Sequence, residues 1–190
     1  MDADVIGWFK ACESYLGFTA VENTKARVQR MNSLLSHILT FKDELIELES
    51  VAANKTLAES KAEFNVFLSH FKHAIKLLTD TQKSSIVFES KVLVAQDYTF
   101  PIGPVLLIVP YNFPLVVTAE RLPYALASGC PVLLKGSEIA AGCLSLLADI
   151  IQNCPAVSCS FPVLFKNFGA LETSALVNSD YIRMISFTGS

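Results

Sequence analysis

Four short apolar runs alternating with helical stretches constrain the fold of this chain more than any other feature of it. The runs are Val105 to Val109, Pro131 to Lys135, Phe161 to Phe165 and Ile182 to Phe187. Leu115 to Ser128, Ile139 to Gln152 and Ala170 to Val177 lie between them and read as helices, with Pro123 kinking or interrupting the first. Strands without polar alternation are buried on both faces. Their alternation with helices predicts an α/β fold: a partial parallel sheet with helices on both faces. In such sheets ligands bind beyond the carboxyl ends of the strands.

The half upstream is helical and charge-rich, from about Asp2 to Asp80. Val28, Met31, Leu35, Ile38 and Leu39 recur at helical spacing. Phe41, Leu45, Leu48 and Ala52 do so after a short break, with Thr40 placed as an N-cap. Phe64, Phe67, Leu68, Phe71, Ile75 and Leu78 mark a third long helix. These stripes read as plain core. Ile86 to Phe88 and Val92 to Val94, around Glu89-Ser90-Lys91, predict a small hairpin or two paired strands. The expected organisation is a helical region over 1–82, a hairpin over 83–100 and an α/β region over 101–190. With 190 residues, 52% hydrophobic and 17% charged, the chain can bury a sizeable core.

Several function classes are disfavoured. A net charge of -3 with scattered Lys and Arg gives no electrostatic footprint for nucleic acid. The window Tyr98 to Ala119 carries no charge and is long enough to span a bilayer. Its prolines at 101, 104, 110 and 114 would break a spanning helix repeatedly, so a buried strand and loop account for it better. The acidic start Met1-Asp2-Ala3-Asp4 resembles neither a signal nor a transit peptide. Five cysteines without a C-x-x-C pair argue against a disulfide framework and for a reducing, cytoplasmic setting. Zinc-finger spacing is absent. His70 and His73 could share a helix face, and a solvated or half-buried pair is the expectation rather than a metal site.

Three segments at strand ends carry candidate chemistry. In Pro110-Tyr111-Asn112-Phe113-Pro114, Pro114 can start a helix at its first position. Asn112 is left in a rigid loop, where its amide can donate to an oxyanion. An Asn that only satisfies local backbone is the plain alternative. In Lys135-Gly136-Ser137-Glu138, the cation and the carboxylate could bracket ribose hydroxyls, and Ser137 could cap the next helix. A strand-end Lys and a first-turn Glu favoured by the helix dipole would look the same. In Phe187-Thr188-Gly189-Ser190, Gly189 permits close backbone approach, and Ser190 could begin a helix facing phosphate. The usual Gly-x-Gly-x-x-Gly dinucleotide fingerprint occurs nowhere in the sequence.

Taken in this order, with Leu122 to Lys135 between the first and the second, the segments resemble the first half of the cofactor-binding core of the aldehyde dehydrogenase superfamily. The resemblance covers Phe100 to Ser190 well. It extends more weakly over residues 25 to 80, where Asn54-Lys55-Thr56 stands where members often have Gly-Lys. It implies a Rossmann-like fold and NAD as cofactor, with NADP an alternative. Asn112 would be the oxyanion donor for a Cys thiohemiacetal. Lys135 and Glu138 would contact the adenosine ribose, Glu138 favouring NAD over a 2′-phosphate. Gly189 and Ser190 would lie at the pyrophosphate. Val109, Pro110 and Tyr111 would line the cofactor cleft, with Ser137 beside them. Tyr111 replaces the more usual Trp, and Gly136 replaces the usual Pro, which loosens the turn before Glu138. None of the five cysteines matches the family's nucleophile, which is expected beyond this chain together with the Glu base.

The resulting expectation is the N-terminal portion of an NAD(P)-dependent aldehyde dehydrogenase that oxidises an aldehyde to an acid. The complete enzyme is expected to form a homo-oligomer, and this chain alone to be inactive. A truncated, non-catalytic nucleotide-binding or interaction module is the alternative, and a generic α/β protein a weaker one. The sequence downstream distinguishes the first two.

Overall fold

The computed structural model describes residues 2–21, 23–80, 84–90, 92–138, 141–155 and 162–189. Its centre is a four-stranded parallel sheet of β3 (Val105–Ile108), β4 (Val132–Lys135), β5 (Val163–Lys166) and β6 (Met184–Phe187), in the order β5-β4-β3-β6. The strands are level: Ile108 pairs with both Lys135 and Phe187, and Lys135 pairs with Lys166. All four C-terminal ends therefore open on one edge. The chain steps outward from β3 to β4 to β5, then crosses back to place β6 on the other side of β3. That reversal makes a topological switch point at β3, where loops leave the sheet in opposite directions and a ligand crevice forms.

The crossovers cover both faces of β3 and β4, as expected from their continuous apolar runs. The edge strand β6 departs from that expectation: Met184, Ile185 and Phe187 are exposed, because no described element packs over them. α5 (Pro114–Ala119), α6 (Leu122–Ala127) and α7 (Ala141–Gln152) pack with Val105, Leu107, Val132 and Leu134 in the larger core. α8 (Ala170–Val177) supplies Leu176 to the opposite face, against Leu106 and Leu133. Pro123 interrupts the first crossover: α5 ends at Ala119, and α6 restarts at Leu122 with the proline in its first turn. Residues 139–140 and Phe161, parts of the predicted second crossover helix and third strand, lie outside the described residues.

Four helices precede the sheet: α1 (Ala3–Val21), α2 (Thr24–Thr40), α3 (Lys42–Ala52) and α4 (Leu57–Asp80). α2, α3 and α4 share the larger core with the sheet through Met31, Leu34, Ile38, Leu45, Phe64, Phe67 and Phe71. Two sequence expectations are corrected. Leu39 is 41% exposed and Leu34 takes its place in the core, because the buried face of α2 follows 31, 34, 35 and 38. Thr40 is the last residue of α2 rather than a cap of α3: its hydroxyl donates back to the His37 carbonyl at 2.7 Å, and Phe41 joins the two helices without a side-chain cap. A threonine cap forms at Thr56 instead. Its Oγ1 accepts from the Glu59 amide at 3.2 Å, and Glu59 accepts from the Thr56 amide at 2.9 Å, a reciprocal box at the start of α4.

The helix α1, part of the helical half with no specific place expected, lies on the second face of the sheet. Val5, Trp8, Phe9 and Cys12 pack on Leu106, Leu133 and Phe168, and the Trp8 indole donates to the Pro162 carbonyl at 2.9 Å. β1 (Ser84–Glu89) and β2 (Val94–Tyr98) pair antiparallel, so the predicted pairing forms, but the second strand begins at Val94 instead of spanning Val92 to Val94. Val92 and Leu93 belong to the connection, where the Ser90 side chain accepts from both of their amides. The hairpin's apolar side chains are largely exposed, Val92 and Phe100 most of all. Among the described residues no helix is long and apolar enough to cross a membrane.

Candidate functional site

The loops after β3, β4, β5 and β6 enclose a cleft of about 1010 Å³ at the switch point. Small-molecule sites in proteins are commonly ~300–1,000 Å³, so this one has room for a ligand beyond drug size. Val109, Pro110, Tyr111 and Asn112 line it from β3, Lys135, Ser137 and Glu138 from β4, and Gly189 from β6. Every described residue that the sequence placed in the site is therefore in one cavity. Ser190 lies outside the described residues.

Local physics accounts for each wall. Val109 donates its amide to the Lys135 carbonyl at 3.0 Å, so the first loop leaves the sheet only at Pro110, which has no amide to give. Pro114 opens α5, and the Phe113 carbonyl accepts from Val117 at 2.9 Å. Tyr111 and Asn112 are held between these two anchors and exposed to the cleft. Gly136 is enclosed rather than loose: a Cβ there would stand 2.8 Å from the Phe165 ring and 3.0 Å from Leu144. A side chain at that position would have to displace the Phe165 ring. On the third wall Thr188 donates to the Ile108 carbonyl at 3.0 Å. Gly189 follows at φ +153°, a conformation that side-chain-bearing residues rarely adopt.

The cleft's fourth wall was not found from sequence. Phe168, Gly169, Ala170 and Thr173, from the β5–α8 connection, also line it. Their strand-end position was the available signal, since the other three walls were found that way. The donor set suits a dinucleotide: a cation and a carboxylate sit at the β4 end, and glycines at the β5 and β6 ends where backbone can approach.

Beneath the first loop lies a buried polar cluster. Lys55 pairs with Glu63 and stands 3.6 Å from Glu49, whose side chain is fully buried. The Cys143 thiol, next to them, donates to the Leu45 carbonyl at 3.6 Å. Burial, then the adjacent Glu63 carboxyl, pushes Glu49 up to about 7. The folded chain thus keeps a proton that the unfolded chain releases near the ordinary carboxylate value of 4.5. This contribution to stability is complete below that value and is lost as pH rises through about 7. Melting temperature should therefore rise when pH is lowered from about 8 to about 5.5, by a few degrees. Thermal melts across that range check it. Glu49→Gln should flatten the slope, and an unaltered slope would remove Glu49 as its source. Glu59 and Asp2, whose partners lower them, act only at more acidic pH.

His70 and His73 do share a helix face, and both contact the Tyr124 hydroxyl, at 2.9 and 3.2 Å. They lie away from the cleft.

The sequence model of the aldehyde dehydrogenase family matches residues 9–190. Aminoaldehyde dehydrogenase 1, peroxisomal, of Pisum sativum is 31% identical over 86% of this chain and 33% of its own length. An aldehyde dehydrogenase of Vibrio cholerae is 29% identical over 95% of this chain and 34% of its own length. The chain spans about a third of the length of the curated relatives it matches. Among solved structures, an aldehyde dehydrogenase of Bartonella henselae superposes with a TM-score of 0.86 at 24% identity, over 98% of this chain and 39% of that one. An NAD-dependent aldehyde dehydrogenase of Sinorhizobium meliloti gives the same score and identity over 98% and 37%. These two likenesses bear on the fold, whereas the family model and the Pisum sativum relative bear on descent, and by them the chain belongs to the aldehyde dehydrogenase family.

Proposed function

We propose that this chain forms the first part of the cofactor cleft of an enzyme that oxidises an aldehyde to the acid with NAD. The observation that carries the reading is the convergence of three separate strand-end segments on one cleft at the switch point. NAD, when bound, accepts a hydride. Lys135 and Glu138 would hold its adenosine ribose, Gly189 and Ser190 would lie at its pyrophosphate, and Val109, Pro110, Tyr111 and Ser137 would line its path. Asn112 would donate to the oxyanion formed when a thiolate adds to the aldehyde.

In this reading that thiolate comes from the part of the relatives' length this chain does not span. The cysteines among the described residues are poor nucleophiles. Cys12, Cys130, Cys143 and Cys154 are buried, and burial holds the Cys12 and Cys143 thiols well above their ordinary range. Residues 101–190 would open the cofactor domain, after a helical region over 1–82 and the hairpin over 83–100. The exposed apolar hairpin supports a homo-oligomer for the complete protein. The free cysteines support a reducing compartment such as the cytoplasm.

The test uses the complete protein, which should form NADH from aldehydes. Glu138→Gln should shift the ratio of NADP to NAD dissociation constants toward NADP by roughly tenfold, ~1.4 kcal/mol, because a carboxylate at the ribose repels a 2′-phosphate. Fluorescence titration with each cofactor measures it. An unchanged ratio would take Glu138 away from the ribose.

A further inference from the structure

Lys55 does not line the cleft, and its side chain reaches between α3, α4 and the first loop. Its surroundings are unusual. The ammonium faces two buried carboxylates, Glu63 and Glu49, and on another side stands 4.4 Å from the centroid of the Phe113 ring. Phe113 is the residue after Asn112 and the N-cap of α5. We propose that Lys55 is a positioning residue: held from below by Glu63 and Glu49, it grips the Phe113 ring and so fixes Asn112 at the edge of the cleft. The proposal rests on Asn112 being the oxyanion donor.

The backbone is arranged to present this one side chain. Asn54 takes φ +50°, a left-handed conformation that Asn tolerates better than most residues, and it ends the turn after α3. Lys55 then donates its amide to the Ser50 carbonyl at 2.9 Å, and its own carbonyl accepts from the Ser50 hydroxyl at 2.6 Å. Thr56 immediately begins the α4 capping box. Both sides of residue 55 are therefore fixed.

The energetics point the same way. An ammonium and two carboxyl groups taken out of water cost desolvation, and apolar residues of the same volume would hold α3 against α4 at least as well. Glu49 stands 3.6 Å from the Lys55 ammonium, beyond hydrogen-bond distance, so the cluster leaves it weakly paired. What an apolar replacement would lack is the cation under the ring. Phe113 is 49% exposed, and α5 has no side-chain cap of its own, so the Phe113 side chain has few other anchors. A cation against an aromatic face is worth ~0.5–2 kcal/mol. That is enough to bias a short loop toward one position, and small displacements at a reacting group are costly in rate.

The experiment measures turnover of the complete enzyme at saturating aldehyde, NAD affinity, and amide exchange over residues 111–117. The variants are Lys55→Met, Lys55→Arg and Phe113→Leu, each with and without Asn112→Ala. Phe113→Leu removes the ring without touching the buried charges, so it reports even where Lys55→Met fails to fold. Phe113→Leu should lower turnover roughly tenfold, the equivalent of ~1.4 kcal/mol, and speed exchange in the loop while NAD affinity stays unchanged. Lys55→Met should match it, and Lys55→Arg should recover most of the loss, because a guanidinium also stacks on a ring. In the Asn112→Ala background neither substitution should lower turnover further. Wild-type turnover in Phe113→Leu, or equal losses in both backgrounds, would overturn the positioning role alone. Wild-type turnover in Asn112→Ala would remove the oxyanion donor, and the positioning role with it.

Discussion

Asn112→Ala in the complete enzyme is expected to lower turnover on the order of a hundredfold or more, with NAD affinity nearly unchanged. An amide aimed at a developing oxyanion contributes in the transition state and little before it, so its loss appears in the barrier, at ~3 kcal/mol. Geometry supports placing the effect there. Asn112 is exposed at the cleft edge, between Pro110, where the strand ends, and Pro114, where α5 begins. Neither neighbour depends on the Asn side chain, so truncation should leave the loop in place. Pre-steady-state rates of NADH formation, with separate titration of NAD, give both quantities. Equal losses in turnover and cofactor affinity would make Asn112 a structural residue of the loop.

The site was legible because its residues lie where strand texture stops. Val105 to Val109 and Pro131 to Lys135 are continuous apolar runs buried on both faces, so their ends stand out, and the chemistry follows within a few residues. The β5 end was harder to read. Lys166 ends β5 in register with Lys135, but its ammonium pairs with Asp2 and Asp4 of the N-terminal segment, and Asn167, Phe168 and Gly169 add no carboxylate or proline that would separate a cleft wall from a plain connection. The helical half was legible as core and less so in its joints. Thr40 and Thr56 have the same side chain, and both come close before a helix start. Only Thr56 has Glu three residues on, so only it forms a reciprocal cap. Asp43, the equivalent residue after Thr40, does not do so. Leu39 was misread because an apolar residue next to a stripe is invisible to periodicity until its neighbours fix the buried face. The placement of α1 was not legible at all. Val5, Trp8, Phe9 and Cys12 show an apolar face, but which surface receives it depends on the sheet's second face being left open by α8. The Glu49–Lys55–Glu63 cluster was hidden for a related reason, since charged residues on helices read as solvated until the packing of α3 against α4 is known.

That packing leads to the other large effect. Phe67→Ala should destabilise this chain by ~3–5 kcal/mol, the usual cost of removing a buried aromatic ring and leaving a cavity. Phe67 is fully buried midway along α4, with its ring 5.7 Å from Phe64 and 5.0 Å from Phe71. Phe64 and Phe71 flank it along the same helix, and its other neighbours belong to a core that runs from α2 to the sheet, so the space has few ways to close. Against a typical net stability of ~5–15 kcal/mol, such a loss is a large fraction of the whole. For a chain of this size it corresponds to a fall in melting temperature of roughly 10 °C. The consequence for the site is specific. α4 packs on α5, and α5 begins at Pro114, directly after the Asn112 loop. Activity lost through Phe67 should therefore follow the unfolded fraction with temperature and recover on cooling, whereas activity lost at Asn112 should persist at every temperature. Thermal melts and turnover measured together separate the two. Leu171→Ala, at an 85% exposed position on α8, is the control and should change stability by less than ~0.5 kcal/mol. A Phe67→Ala protein melting with the wild type would mean that the core closes around the missing ring, and that the α4–α5 contact does not depend on it.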